Sequence, residues 1–174
     1  MKLELLADLA DTHAGATVKF DGCDALGAAN LRGTRFAARN RVVRELTAVE
    51  DGEARAVQVY MAGLAGFLLA KAAAAHSRRK PKDWYDLAFV LLHNDEGGPD
   101  RAAELVTFHF ADDLTGEVQT ALQDLSANFA VPEAQGPEAY VEQLLLDHPH
   151  LDAEESAADA VTAVRLFCAK LGIN

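Results

Sequence analysis

The sequence predicts an α+β protein in which a small, mainly antiparallel sheet precedes a helical bundle. Two alternating runs, Val42 to Val49 and Ala54 to Met61, flank Asp51-Gly52, the pair that supplies the positive φ of a tight hairpin. From Leu64 onward, apolar residues recur at three- and four-residue intervals, the period of helices with one buried face. A polar stretch from His93 to Pro99 separates the two characters, giving a mixed region, 1–92, and a helical region, 99–174, packed on it.

Taken in order, the chain opens with a predicted strand from Leu3 to Leu9 and turns through Asp11 to Gly15. Thr17 to Phe20 alternates as a second strand before the Asp21-Gly22 turn. Asp24 to Leu31 is rich in glycine and alanine, and its side chains are too small to assign; Gly27 and Gly33 do not make a nucleotide-binding fingerprint. Arg32, Arg35 and Arg39 then either line one helix face or decorate a solvated loop, with Arg41 and Arg44 completing a basic run. In the second hairpin strand Val57, Val59 and Met61 alternate with Gln58 and Tyr60, which predicts a sheet packed on one side.

Leu64, Phe67, Leu68 and Lys71 follow the spacing of one helix face, so an ammonium stands where a leucine is expected. Such a lysine must reach water or meet an anion. The next segment, Lys80-Pro81-Lys82-Asp83-Trp84-Tyr85-Asp86-Leu87, reads as a helix start, with proline in the first turn and Asp83 at the positive end of the dipole. Asp83 and Asp86 are three apart and share a face that Leu87 and Val90 continue. The residues therefore predict a partly buried cluster of Lys71, Asp83 and Asp86, rimmed by Arg78, Arg79, Lys80 and Lys82. Spacing alone leaves two readings open, an ion-pair network that fixes a helical elbow and a functional site.

Lys71, Arg78, Arg79 and the run Lys82-Asp83-Trp84-Tyr85-Asp86-Leu87 resemble the second half of the AbiEii/AbiGii-type abortive-infection nucleotidyltransferases of bacterial toxin–antitoxin systems. The resemblance covers about Leu3 to Leu92. It implies a polymerase-beta-like nucleotidyltransferase fold, with Lys71 and Asp83 catalytic and handling nucleotide phosphates, and with Arg78, Arg79, Lys82 and Asp86 lining the phosphate-binding site. It also implies magnesium as cofactor, nucleotide as ligand, and a cognate antitoxin as partner.

The chain departs from that family pattern at its start. The family's glycine turn and its metal-binding Asp-x-Asp strand are not found, and Asp112-Asp113 is adjacent, so the two side chains do not share a strand face. By position only, Glu4 matches the family's third acidic residue. One carboxylate does not make a tight magnesium site. The expectation is an incomplete nucleotidyltransferase-like fold whose metal-binding half is a separately encoded polypeptide, with magnesium not bound by this chain alone. An exposed apolar sheet edge near Met1 is the feature that would favour this reading.

The 174 residues, half of them hydrophobic, suffice for one domain with a core, or a domain with a helical extension. A formal charge of −11 argues against non-specific binding to nucleic acid or acidic membranes, although four of the sixteen basic residues fall between Arg78 and Lys82. Cys23 and Cys168 are too far apart in sequence to suggest a zinc site, and together with the lack of a signal segment or spanning run they predict a cytoplasmic protein. Its oligomeric state is left open.

The six histidines do not show zinc spacing: His148 and His150 flank a proline, and His109 stands alone. His76 differs in ending the lysine helix beside the basic turn, where in its protonated form it would reach a phosphate. Three functions follow: an incomplete nucleotidyltransferase, a non-catalytic module binding nucleotide, RNA or protein, and a structural remnant without ligand.

Overall fold

The computed structural model describes residues 4–173, so Met1, Lys2 and Leu3, where the first predicted strand begins, lie outside it. The element order is β1 (Leu6–Ala7), β2 (Thr17–Phe20), β3 (Cys23–Asn30), α1 (Thr34–Arg39), β4 (Arg41–Glu50), β5 (Glu53–Ala62), α2 (Leu64–Arg78), α3 (Pro81–His93), α4 (Gly98–Phe110), α5 (Gly116–Asn128), α6 (Gln135–Asp147) and α7 (Ala153–Lys170). The fold is α+β, as the patterning predicts. The strands form two small sheets: β1-β3-β2, in which β1 runs parallel to β3, and the antiparallel pair β4-β5.

The first strand is shorter than its alternation suggests. After Ala7 the chain is held by side chains instead of a ladder. Asn30, fully buried, accepts from the Leu9 amide at 2.7 Å and donates to the carbonyls of Leu9, Thr12 and His13. The unassigned glycine- and alanine-rich segment is the middle strand β3, and its small residues have a steric reason: a Cβ on Gly27 would lie 2.5 Å from Thr17 Cγ2 across the pair. Arg35 and Arg39 fall on the six-residue helix α1, whereas Arg32 precedes it. Gly33, at φ +87°, lets the start of α1 sit against Ala73 of α2.

The hairpin forms as predicted around Asp51 and Gly52, both at positive φ. The expectation that it packs on one side is not met. Val42, Leu46, Val57 and Met61 share one face through the Val42↔Met61 and Leu46↔Val57 pairs, yet each is exposed. Alternation identifies the apolar face but not what covers it. The ribbon joins the body at its base, where the Gly63 amide donates to the Asn40 carbonyl at 2.7 Å.

One core runs from Phe36 through α2–α7 to Ile173, so both regions share it. Leu122, Leu125, Phe129, Val164 and Phe167 are buried in it, and Val161 is buried as well. At its centre the fully buried Trp84 of α3 meets Phe129 edge to face, with ring centroids 6.3 Å apart. Cys168 is buried in the same core, and burial pushes its thiol up to about 12, which leaves it inert as a nucleophile. Among the described residues no helix is long and apolar enough to cross a membrane.

Trp84→Ala is expected to cost about 3–5 kcal/mol of unfolding free energy, whereas Val49→Ala, at a ribbon position 74% exposed, should change it by under about 0.5 kcal/mol. Urea denaturation of the two variants checks this.

Candidate functional site

The site is the elbow between α2 and α3. Helix α2 stops because Arg79 takes a left-handed conformation (φ 50°, ψ 38°), its amide still donating to the Ala75 carbonyl. Lys80 is extended, Pro81 starts α3, and Asp83 lies in the first turn. This short connection swings the first turn of α3 back against the last two turns of α2.

As a result Lys71 faces both acids. Its Nζ donates to Asp83 Oδ1 at 3.2 Å and to Asp86 Oδ2 at 2.5 Å. Arg78 grips Asp83 with two parallel bonds, Nε to Oδ2 at 2.7 Å and Nη2 to Oδ1 at 2.8 Å. Lys82 reaches back to Asp86 Oδ1 at 2.9 Å. The Asp83 side chain is only 2% exposed, that of Lys71 21%.

Burial alone would push the Asp83 carboxyl up; the Arg78 hydrogen bonds and the nearby Lys71 charge outweigh it and hold the group below the usual carboxylate range. The same bonds to Asp83 raise the Arg78 guanidinium above its ordinary value, with smaller help from the charges of Asp86 and Glu4. Glu4 is exposed, and its charge is felt by this cluster although the residue is distant in sequence. Arg79 turns away: its Nη2 donates to Asp124 of α5 at 2.7 Å.

Beside the elbow opens a cleft of about 630 Å³, between α2, α1 and the β1 strand. Lys71 and Arg78 line it, opposite Asp8 and Arg35, with Leu6 and Phe67 among its apolar walls. Asp8 fixes the start of α1 by accepting from the Gly33 and Arg35 amides at 3.0 and 3.2 Å. Neither Asp8 nor Asp124 stood out in the sequence. Each meets its partners across more than twenty residues, and no local spacing marks such a pair.

The donors left over decide what the elbow can do. Lys71 has three N–H groups and directs two at Asp83 and Asp86, and Arg78 has five and directs two at Asp83, among the described residues. Uncommitted N–H groups on cleft-lining cations suit an anion. The acids are not similarly available to a divalent metal. Both oxygens of Asp83 and of Asp86 already accept from cations. Among the described residues no group of three or more His, Cys, Asp or Glu could hold an ion. The magnesium implied by the resemblance therefore does not fit this donor set.

An α+β chain with a lysine-bearing helix, an arginine turn and an Asp-x-x-Asp helix start has the elements that the resemblance named. Residues 30–163 match the family described as nucleotidyl transferase AbiEii toxin, Type IV TA system, and the chain belongs to that family. The match begins later than the resemblance did and extends through the helical region into α7. No curated protein and no solved structure matches the chain significantly.

Removing Asp83 strands two cations in a partly buried place, so Asp83→Ala is expected to cost about 3–5 kcal/mol. The lowered Asp83 pKa also fixes a sign. Its contribution is fully present above the ordinary carboxylate value of about 3.9 and is lost as pH falls through the lowered native value. Denaturation in that acid window should show stability rising with pH in the wild type, and a flatter profile in Asp83→Asn.

Proposed function

We propose that this chain is a nucleotidyltransferase-like protein of the abortive-infection toxin type, whose Lys71–Asp83 cluster binds nucleotide phosphates and which is not catalytic by itself. The observation that carries the reading is Lys71, an ammonium oriented by two carboxylates with one donor still uncommitted, on the wall of a cleft of about 630 Å³. Arg78 adds further uncommitted donors to the same cleft. In this reading Asp83 and Asp86 position the cations, and the phosphate meets the cations directly. Phosphoryl transfer depends mainly on positioning and charge neutralisation, so a chain without the metal carboxylates would bind nucleotide and turn it over poorly.

Those carboxylates would come from another polypeptide segment. Two surfaces support this part of the reading. Strand β1 pairs only with β3 among the described residues, and Leu5, Leu6 and Leu9 around it are 45%, 49% and 45% exposed. The β4-β5 ribbon presents its apolar face uncovered, although a two-stranded ribbon is marginally stable alone in water. A cognate antitoxin is the other partner that the family setting suggests.

One observation favours a structural elbow instead: Lys71, Arg78 and Lys82 are each already paired with a carboxylate, so the cluster satisfies itself without ligand. Equilibrium binding of labelled ribonucleoside triphosphates with magnesium, run beside a transfer assay to RNA or protein, separates the readings. Wild type should bind without appreciable transfer, and Lys71→Ala should weaken binding at least about tenfold while remaining folded. If Lys71→Ala lowers only the melting temperature and leaves affinity unchanged, the elbow is structural.

A further inference from the structure

A second, smaller cleft of about 260 Å³ lies between α1, α2 and α5, and its lining includes Arg32, Arg35, Phe36, His76, Glu117 and Val118. His76 and Asp124 define its chemistry. The Nδ1 of His76 lies 3.3 Å from Asp124 Oδ2, both atoms are buried, and neither has a partner of good hydrogen-bond geometry. The other Asp124 oxygen is held by Arg79 at 2.7 Å. Nδ1 therefore faces the Asp124 carboxylate, and Nε2 is the ring nitrogen that does not. The His76 side chain is 39% exposed, so that edge is reachable.

The cations around the cleft are not equivalent. Arg32 spends its guanidinium on the carbonyls of Leu9, Ala10 and Thr12. Arg35 is 49% exposed, lies 3.9 Å from Asp8 and stacks over Phe36 at 4.8 Å, which leaves most of its donors uncommitted. The groups facing His76 are Asp124 and Glu117 from α5, Arg32 and Arg35 from the α1 side, and Arg79 at the end of its own helix. Arg32, Arg35 and Glu117 line the cleft itself, while Arg79 is paired with Asp124 and Arg35 lies beside Asp8, on a chain whose net charge is −11.

We propose that this cleft is a second phosphate-binding site, in which His76, facing Asp124, and the half-exposed Arg35 take a phosphate group. Arg32 and Arg35 also line the wider cleft of Lys71, so the two sites meet at these arginines. The site does not depend on Lys71 and stands or falls separately from the elbow.

The test is a nuclear magnetic resonance titration of the His76 imidazole in the full chain, its signal identified by loss in His76→Gln. Three probes are used: inorganic phosphate, a nucleoside monophosphate, and a short single strand whose backbone charge is constant between pH 5.5 and 8. The expected result is a saturable shift of His76. Arg35→Ala should weaken the response at least about tenfold, as should Asp124→Asn, while Lys71→Ala leaves it within about twofold. Tighter binding of the monophosphate than of inorganic phosphate marks a small ester as ligand, and tightest binding of the strand marks a polynucleotide backbone. No saturable shift with any probe overturns the proposal. So does a shift that survives Arg35→Ala, or one that disappears with Lys71→Ala, because the anion is then bound elsewhere.

Discussion

A lysine ammonium caught between two carboxylates at the joint of two helices is the constraint on which the rest of this molecule depends. Lys71 is placed on a face that otherwise feeds the core, and it is tolerated because Asp83 and Asp86 arrive from α3. Asp83 is nearly as buried as the core leucines and is tolerated because Arg78 and Lys71 saturate both its oxygens. Each charge is acceptable only in the presence of the others. Removal of one is costly even though the network as a whole need not stabilise the fold. What the network specifies is geometry: the angle at which α3 returns against α2, and with it the seat of Trp84 beneath the elbow.

Two clefts flank α2. Helix α2 presents Lys71 and Arg78 to the wider one and His76 to the narrower one, and both are closed by Arg32, just before α1, and Arg35, within it. The left-handed turn at Arg79 sorts the basic run at the end of α2. Arg78 stays with Asp83, while Arg79 is carried to Asp124 and ties α2 to α5. Eight of the sixteen lysines and arginines of this acidic chain lie in the stretches 32–39 and 71–82.

The elbow was legible because its parts are local. Proline in a first turn, two acids three apart and a lysine out of place on an apolar face are all visible within twenty residues, and the helical stripes of the second half are equally periodic. The family match over residues 30–163 agrees with the family resemblance that these residues carry. Other features were not legible, for separate physical reasons. Strand β3 is built from small residues whose selection is steric, through contacts such as Gly27 against Thr17, and small side chains carry little periodic signal. The brevity of β1 follows from the Asn30 side chain capturing backbone groups twenty residues away. Alternation in β4 and β5 marked an apolar face, but a one-chain pattern does not state whether anything covers it. Asp8 and Asp124 have no local signature, since each acquires meaning only from residues that the fold brings to it.

The most direct test of this account is a double-mutant cycle on unfolding free energy for Lys71→Met and Asp83→Asn, single and combined. These substitutions remove the charges while keeping the side chains near their original size. A buried, mutually dependent pair predicts a coupling of about 1–3 kcal/mol between them. A coupling below about 0.5 kcal/mol would mean that lysine and carboxylate behave as independent surface charges, and would contradict the account at its base.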